Sequence, residues 1–308
     1  MAQRIALFWP GDLRQKPNAL AQPNADEATR QLELALARLG RQTYRIPGFL
    51  SKPHEAIEKL APIDDPLIGV CVHWFYGPHT TEGVVGKNNP LLLASNFSGQ
   101  WPGLVGLLNT GACLELLGRP FSRIWTTATD WTHDDAFMTH LEEWCATGRI
   151  VYGDQDLTYD APVSPAARDL ASDVAADLKR RRALIVMLGD TSMGMINGYF
   201  GPRVLHKHGF AEHKIDQAWV LDRGPSIDPA RIEEAFAFVR ERGASFHWRE
   251  PGAEDFTEDS TREQLRDYLV VKDLIEEYRA DCLGWQYQLG LLPLRPPSDF
   301  AEGLFNSV

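Results

Sequence analysis

Three stretches of the sequence carry residue types suited to chemistry, each directly after an apolar run. The first is His73-Trp74-Phe75-Tyr76-Gly77-Pro78-His79, which follows Leu67–Val72. Consecutive aromatics at the end of a strand make a wall with polar tips, suited to the apolar face of a sugar ring. The same spacing also fits Trp74 and Phe75 plugging a core. The second is LIVMLGDTSMGMINGYFG (184–201), where an apolar run stops at Gly189 and small, hydroxylated residues come next. Glycines between a strand and a helix let the backbone approach a ligand, or simply let the chain turn a corner. The third is Trp285-Gln286-Tyr287-Gln288, whose amides and aromatics are the usual means of holding hydroxyls.

Other chemistries find little support. The glycine-rich loop has neither the GxGxxG spacing nor a lysine after its glycines, so it makes no phosphate cradle. There is no GxSxG and no cysteine beside a histidine to act as a nucleophile. His206, His208 and His213 do not share one helical face, with Gly209 between them, and are read as solvated rather than as metal ligands. Asp190, at a strand end, is read as a turn cap, with a catalytic carboxylate as the alternative. The acidic stretch Glu254–Asp259 reads as a solvated loop.

Composition narrows the class. A net charge of −11 disfavours nucleic acid, because neutralising phosphates requires clustered Lys and Arg. The basic run Lys179-Arg180-Arg181-Arg182 sits where it complements the end of a helix. No stretch reaches the roughly 18 apolar residues of a membrane span, and MAQRIALFWPGD does not read as a signal peptide. Cys71, Cys113, Cys145 and Cys282 lie far apart in apolar or helical contexts, as buried free thiols of a reducing compartment would. The expectation is a cytoplasmic protein without membrane or nucleic-acid partners.

The elements that must position these loops alternate. Strands are expected at Arg4–Phe8, Thr43–Ile46, Leu67–Val72, Leu91–Ala94 and Ser122–Trp125. Helices are expected at Asp26–Leu39, Pro102–Leu117 and Asp134–Thr147. Ser164-Pro165 opens a helix to about Arg182, with Ser as N-cap and Pro at the first position. A second set comes after it: a strand from Ala183, a strand at Ile215–Leu221, a helix at Asp228–Arg242, a long helix from Ser260, a strand at Ala280–Trp285 and a short helix from Asp299. Alternation of this kind implies α/β architecture, namely two Rossmann-like doubly wound parallel-sheet domains, residues 1–165 and 166–308.

Four blocks together resemble the L-fucose isomerase family of sugar isomerases, including its L-arabinose isomerase-like members. They are VHWFYGP (72–78), ASNFSGQWPGLVGLLNTGACLELLG (94–118), LGDTSMGMINGYFG (188–201) and GWQYQ…SDFAEGLFNSV (284–308). The resemblance covers nearly the whole chain and corresponds to the first two domains of that family. It implies interconversion of an aldose and a ketose with a divalent cation, typically manganese, and a proton carried between C1 and C2 through an enediol. It assigns substrate contacts to Gln286, Trp74, Arg14, Ser192 and Met193. At Arg14 the chain reads GDLRQ where the family pattern resembles Asp-Gly-Arg-Arg. The resemblance further implies a homo-oligomer with sites shared between subunits. The family's metal-binding and catalytic carboxylates, with a third domain, are expected beyond Val308, so no metal ligand and no catalytic carboxylate is expected from this chain. A split enzyme completed by a second polypeptide, or a sugar-binding module without chemistry, are the other expectations.

Overall fold

The computed structural model describes residues 4–75, 77–96, 103–153, 162–190, 195–199, 201–250, 256–287, 290–291 and 293–307. Two compact units divide the chain: Met1–Tyr159 with Gly194–Asn197, and Asp160–Met193 with Gly198–Val308.

The first unit runs β1 (Arg4–Pro10), α1 (Gln15–Arg38), β2 (Gln42–Leu50), α2 (Pro53–Leu60), β3 (Leu67–Cys71), α3 (Gly77–Thr81), β4 (Leu91–Asn96), α4 (Gly103–Leu116), β5 (Ser122–Thr126) and α5 (Asp135–Thr147). The strands form one sheet in the order β2-β1-β3-β4-β5, and every pairing is parallel. Parallel sheets bury both faces, so their strands read as continuous apolar runs. In β1, Ile5, Leu7 and Trp9 join a core with α1 and α5, while Ala6 and Phe8 join a second core with α2 and α4. The first unit is thus wound on both faces of its sheet.

Helix α1 starts at Gln15, well before the Asp26 expected from sequence. Pro17 sits in the first turn, where no N–H is needed, and Pro23 is carried inside the helix by the buried stripe Ala21, Ala25, Ala28, Leu32 that packs on the sheet. Helices α2 and α3 had no counterpart in the sequence expectation. Both are short, and little of either is an apolar stripe.

The second unit contains α6 (Pro165–Arg181), β6 (Ala183–Leu188), α7 (Gly201–Lys207), β7 (Phe210–Ile215), α8 (Ala218–Arg223), α9 (Pro229–Glu241), α10 (Glu258–Tyr278), β8 (Cys282–Trp285) and α11 (Asp299–Phe305). Its sheet is parallel and three-stranded, in the order β7-β6-β8. Val186 and Leu188 of β6 pack with Ile232 and Phe236 of α9 and with Leu265, Leu269 and Leu274 of α10. The cap read from sequence at Ser164 holds, and aspartates cap two further helices. Ser164 accepts from the Ala167 N–H, Asp134 from Phe137 and Asp228 from Ala230.

The strand expected at Ile215–Leu221 is corrected. The strand is Phe210–Ile215, and Ala218–Arg223 is helical. The Asp216 carboxylate accepts from the Ala218 N–H at 2.8 Å, which turns the chain into α8. As an edge strand, β7 tolerates the polar sequence FAEHKI, which hides it from an apolar-run criterion. The long helix expected from Ser260 begins at Glu258, capped by Thr257 in a reciprocal box with Ser260. No helix among the described residues is long and apolar enough to cross a membrane.

Candidate functional site

In a sheet ordered 2-1-3-4-5 the winding direction reverses between β1 and β3. Ligands of open α/β sheets bind outside the carboxyl ends of the strands at that reversal. The loops leaving β1, β2 and β3 place a connected set of buried polar side chains there: Asp12, Asn18, Ser51 and His73, each no more than 4% exposed.

Asp12, wholly buried, organises the first loop. Its carboxylate accepts from the Arg14 N–H at 2.8 Å, from Arg14 Nε at 3.0 Å and from Arg14 Nη2 at 2.7 Å. A buried carboxylate is tolerable when it is paired and hydrogen-bonded in this way. The Arg14 side chain stays 43% exposed, with its guanidinium anchored on the buried carboxylate.

Asn18, in the first turn of α1, ties three loops together. Its Oδ1 accepts from the Asp12 N–H at 2.8 Å, and its Nδ2 donates to the Asp12 carbonyl at 2.7 Å and to Ser51 Oγ at 2.9 Å. His73 Nε2 lies 2.9 Å from the same Oδ1. Burial pushes the His73 imidazole down to about 4, against the attraction of Asp12, so the ring is neutral at neutral pH. Burial also lowers His79.

The aromatic run after β3 divides between its two readings. Phe75 is wholly buried and takes the core role. A Cβ at Gly106 of α4 would lie 2.3 Å from its ring and 2.8 Å from the His73 carbonyl oxygen, so only glycine admits this approach. Trp74 is half-buried, between the buried His73 and Phe75. Tyr76 lies outside the described residues.

In the second unit, Gln286 follows β8 and packs on Gly189, which follows β6. Gln286 Oε1 accepts from the Asp190 N–H at 3.2 Å. Gly189 has φ +88°, and a Cβ there would stand 2.7 Å from Gln286 Oε1 and 3.2 Å from Gln217 Nε2. The glycine after β6 therefore makes room for two amide side chains. Asp190 pairs with Lys214, whose ammonium lies 4.3 Å from the Tyr199 ring centroid, and this partner raises the Lys214 pKa.

The chain matches no family model and no curated protein sequence. Its function is therefore read from geometry and from the resemblance of the four sequence blocks.

Of the residues singled out in the sequence, Arg14 and Trp74 lie at the carboxyl end of the first sheet and Gln286 at that of the second. Ser192 and Met193 lie outside the described residues. His206 ends in α7, whereas His213 is in β7 and stacks on Tyr278 at 4.9 Å. Among the described residues no three His, Cys, Asp or Glu gather to hold a metal ion. The roles of Asp12, Asn18, Ser51 and His73 were not read from the sequence. The available signal was a polar residue just past an apolar strand, three times over, but that β1 and β3 are neighbours is a fact of topology.

Proposed function

We propose that the chain recognises a sugar and belongs to a metal-dependent aldose–ketose isomerase of the kind implied by its resemblance to the L-fucose isomerase family, built on two Rossmann-like lobes. One observation carries this reading: Arg14, whose side chain is 43% exposed, is oriented by a buried carboxylate at the β1/β3 reversal. An arginine ordered before the ligand arrives loses little freedom on binding. It can donate only, which suits hydroxyl and carbonyl oxygens. Trp74 offers a half-buried indole for the C–H face of the sugar. Gln286 is the second unit's candidate contact, fixed in orientation by the Asp190 N–H. The resemblance adds Ser192 and Met193, a homo-oligomer with shared sites, and residence in the cytoplasm.

Manganese is the cation the resemblance implies. The described residues do not fit it, since no three ligands gather among them, and no step is assigned to it. The work of this chain's own residues is to bind and orient the sugar and to shield its reacting carbons from water.

The test is to titrate the chain with L-fucose and L-arabinose, and to follow ketose formation by NMR with manganese present. Saturable binding weakened about tenfold or more by Arg14→Ala, which corresponds to one charged hydrogen bond, supports the reading. Ketose formation assigns the isomerase, and binding without ketose assigns a sugar-binding module. Absence of binding to either sugar contradicts both.

A further inference from the structure

Asn18 has only one amide orientation compatible with its neighbours. The Asp12 N–H can only donate and the Asp12 carbonyl can only accept, so the atom 2.8 Å from the former is Oδ1 and the atom 2.7 Å from the latter is Nδ2. Oδ1 is an acceptor, so the His73 nitrogen 2.9 Å from it must carry a hydrogen. In a neutral imidazole the other nitrogen is then a bare acceptor. That nitrogen, Nδ1, is buried and has no hydrogen-bond partner among the described residues. The ring is held from two further sides, by Phe49 with its centroid 5.1 Å away and edge-on, and by Phe75 at 6.1 Å.

A buried acceptor without a partner is costly, and such groups in native proteins call for an explanation. The chemistry around His73 supplies one. A sugar hydroxyl both donates and accepts, but Arg14 can only donate, and the Asp12 carboxylate is engaged by Arg14. A hydroxyl held by Arg14 therefore has a donor for its oxygen and still needs an acceptor for its hydrogen.

We infer that His73 Nδ1 accepts a hydroxyl hydrogen of the bound sugar, and that Asn18 is the positioning residue that fixes the tautomer leaving Nδ1 bare. This deepens the sugar-binding reading and rests on it. Arg14 and His73 together then read one hydroxyl in both its roles, and a deoxy or O-methylated sugar at that position is discriminated against.

The test uses the full chain labelled with 15N-histidine, with L-fucitol as the probe. One of nine histidines is assigned to position 73 by its disappearance in His73→Gln. The free protein should show the neutral tautomer protonated at Nε2, and Asn18→Leu should convert it to a mixture. Added L-fucitol should shift the Nδ1 resonance together with the Trp74 indole, and His73→Phe should weaken L-fucitol about tenfold. A ring protonated at Nδ1 in the free protein overturns the inference without touching the sugar-binding reading. So does L-fucitol that moves Trp74 and leaves Nδ1 unchanged. If L-fucitol moves neither, the sugar-binding reading falls and the inference falls with it. The tautomer of the wild-type chain is read without any substitution, so misfolding of Asn18→Leu does not rescue the idea.

Discussion

Asp12 holds Arg14 through two side-chain hydrogen bonds, 3.0 Å at Nε and 2.7 Å at Nη2, with the carboxylate wholly buried and the Arg14 side chain 43% exposed. Coupling a buried anion to a partly exposed cation makes the pair structural. Arg14→Ala strands the carboxylate, which keeps the bond from the backbone N–H of residue 14. The expected loss is about 1–3 kcal/mol in urea unfolding, below the figure for a fully buried pair because Arg14 is partly solvated. Arg14→Lys, which cannot form the fork, should recover less than half of it. Unchanged stability in both variants would show that the pair holds nothing in solution.

Gly189 makes a second relationship testable. Its φ of +88° and the 2.7 Å approach of Gln286 Oε1 to a would-be Cβ both disfavour any side chain. Gly189→Ala should cost about 1–3 kcal/mol and displace the Gln286 amide from the Asp190 N–H. Thermal unfolding reads the first effect, and the exchange rate of the Asp190 amide reads the second. An alanine variant as stable as the parent, with that amide equally protected, contradicts this packing.

The pH dependence of stability is set in part by His73. Its folded pKa is about 4 against an ordinary 6.5, because burial penalises the charged ring. Above 6.5 neither state binds the proton and the full stability is present. As pH falls from 6.5 towards 4 the unfolded chain takes up a proton that the fold refuses, so stability drops by up to about 1.4 kcal/mol per pH unit. His79, also lowered by burial, acts in the same direction. Urea midpoints measured from about pH 7 to about pH 5, above the carboxylate range, should fall, and the fall should be shallower in His73→Gln. A flat profile in the parent protein contradicts a buried neutral imidazole.

The four thiols should differ in reactivity. Burial raises Cys71, Cys113 and Cys145, and Cys71 is wholly enclosed, whereas Cys282 at the start of β8 is exposed. Brief treatment of the native protein with iodoacetamide should modify Cys282 and spare Cys71 until the chain is unfolded. Peptide mass mapping that finds Cys71 alkylated first would contradict the packing of the first sheet.

The alternation of strands and helices was legible because parallel strands buried on both faces leave unbroken apolar runs, as in Leu67–Cys71 and Leu91–Asn96. Helix ends were legible where a side chain caps them, as Ser164, Asp134 and Asp228 do. Strand β7 was misplaced because an edge strand needs little apolar content, and the start of α1 was missed because its first turns carry Pro17 and Pro23, a residue type that disfavours a helix interior. The candidate site was legible only in part. Arg14, Trp74 and Gln286 stand out through the resemblance, but what holds Arg14 depends on Asp12 and Asn18 meeting across a loop. His73 acquires a role only when β3 is known to lie beside β1. Such adjacency is a property of sheet order, which local patterning does not encode.

The most direct measurement is amide hydrogen exchange of the whole chain with and without saturating L-fucitol. Slowed exchange in peptides covering Asp12–Asn18 and His73–Trp74 is the expected result. Protection confined to a different concave surface of the first unit, the 370 Å³ cavity between Trp125, His140 and Tyr152, or the absence of any protection, would contradict the account.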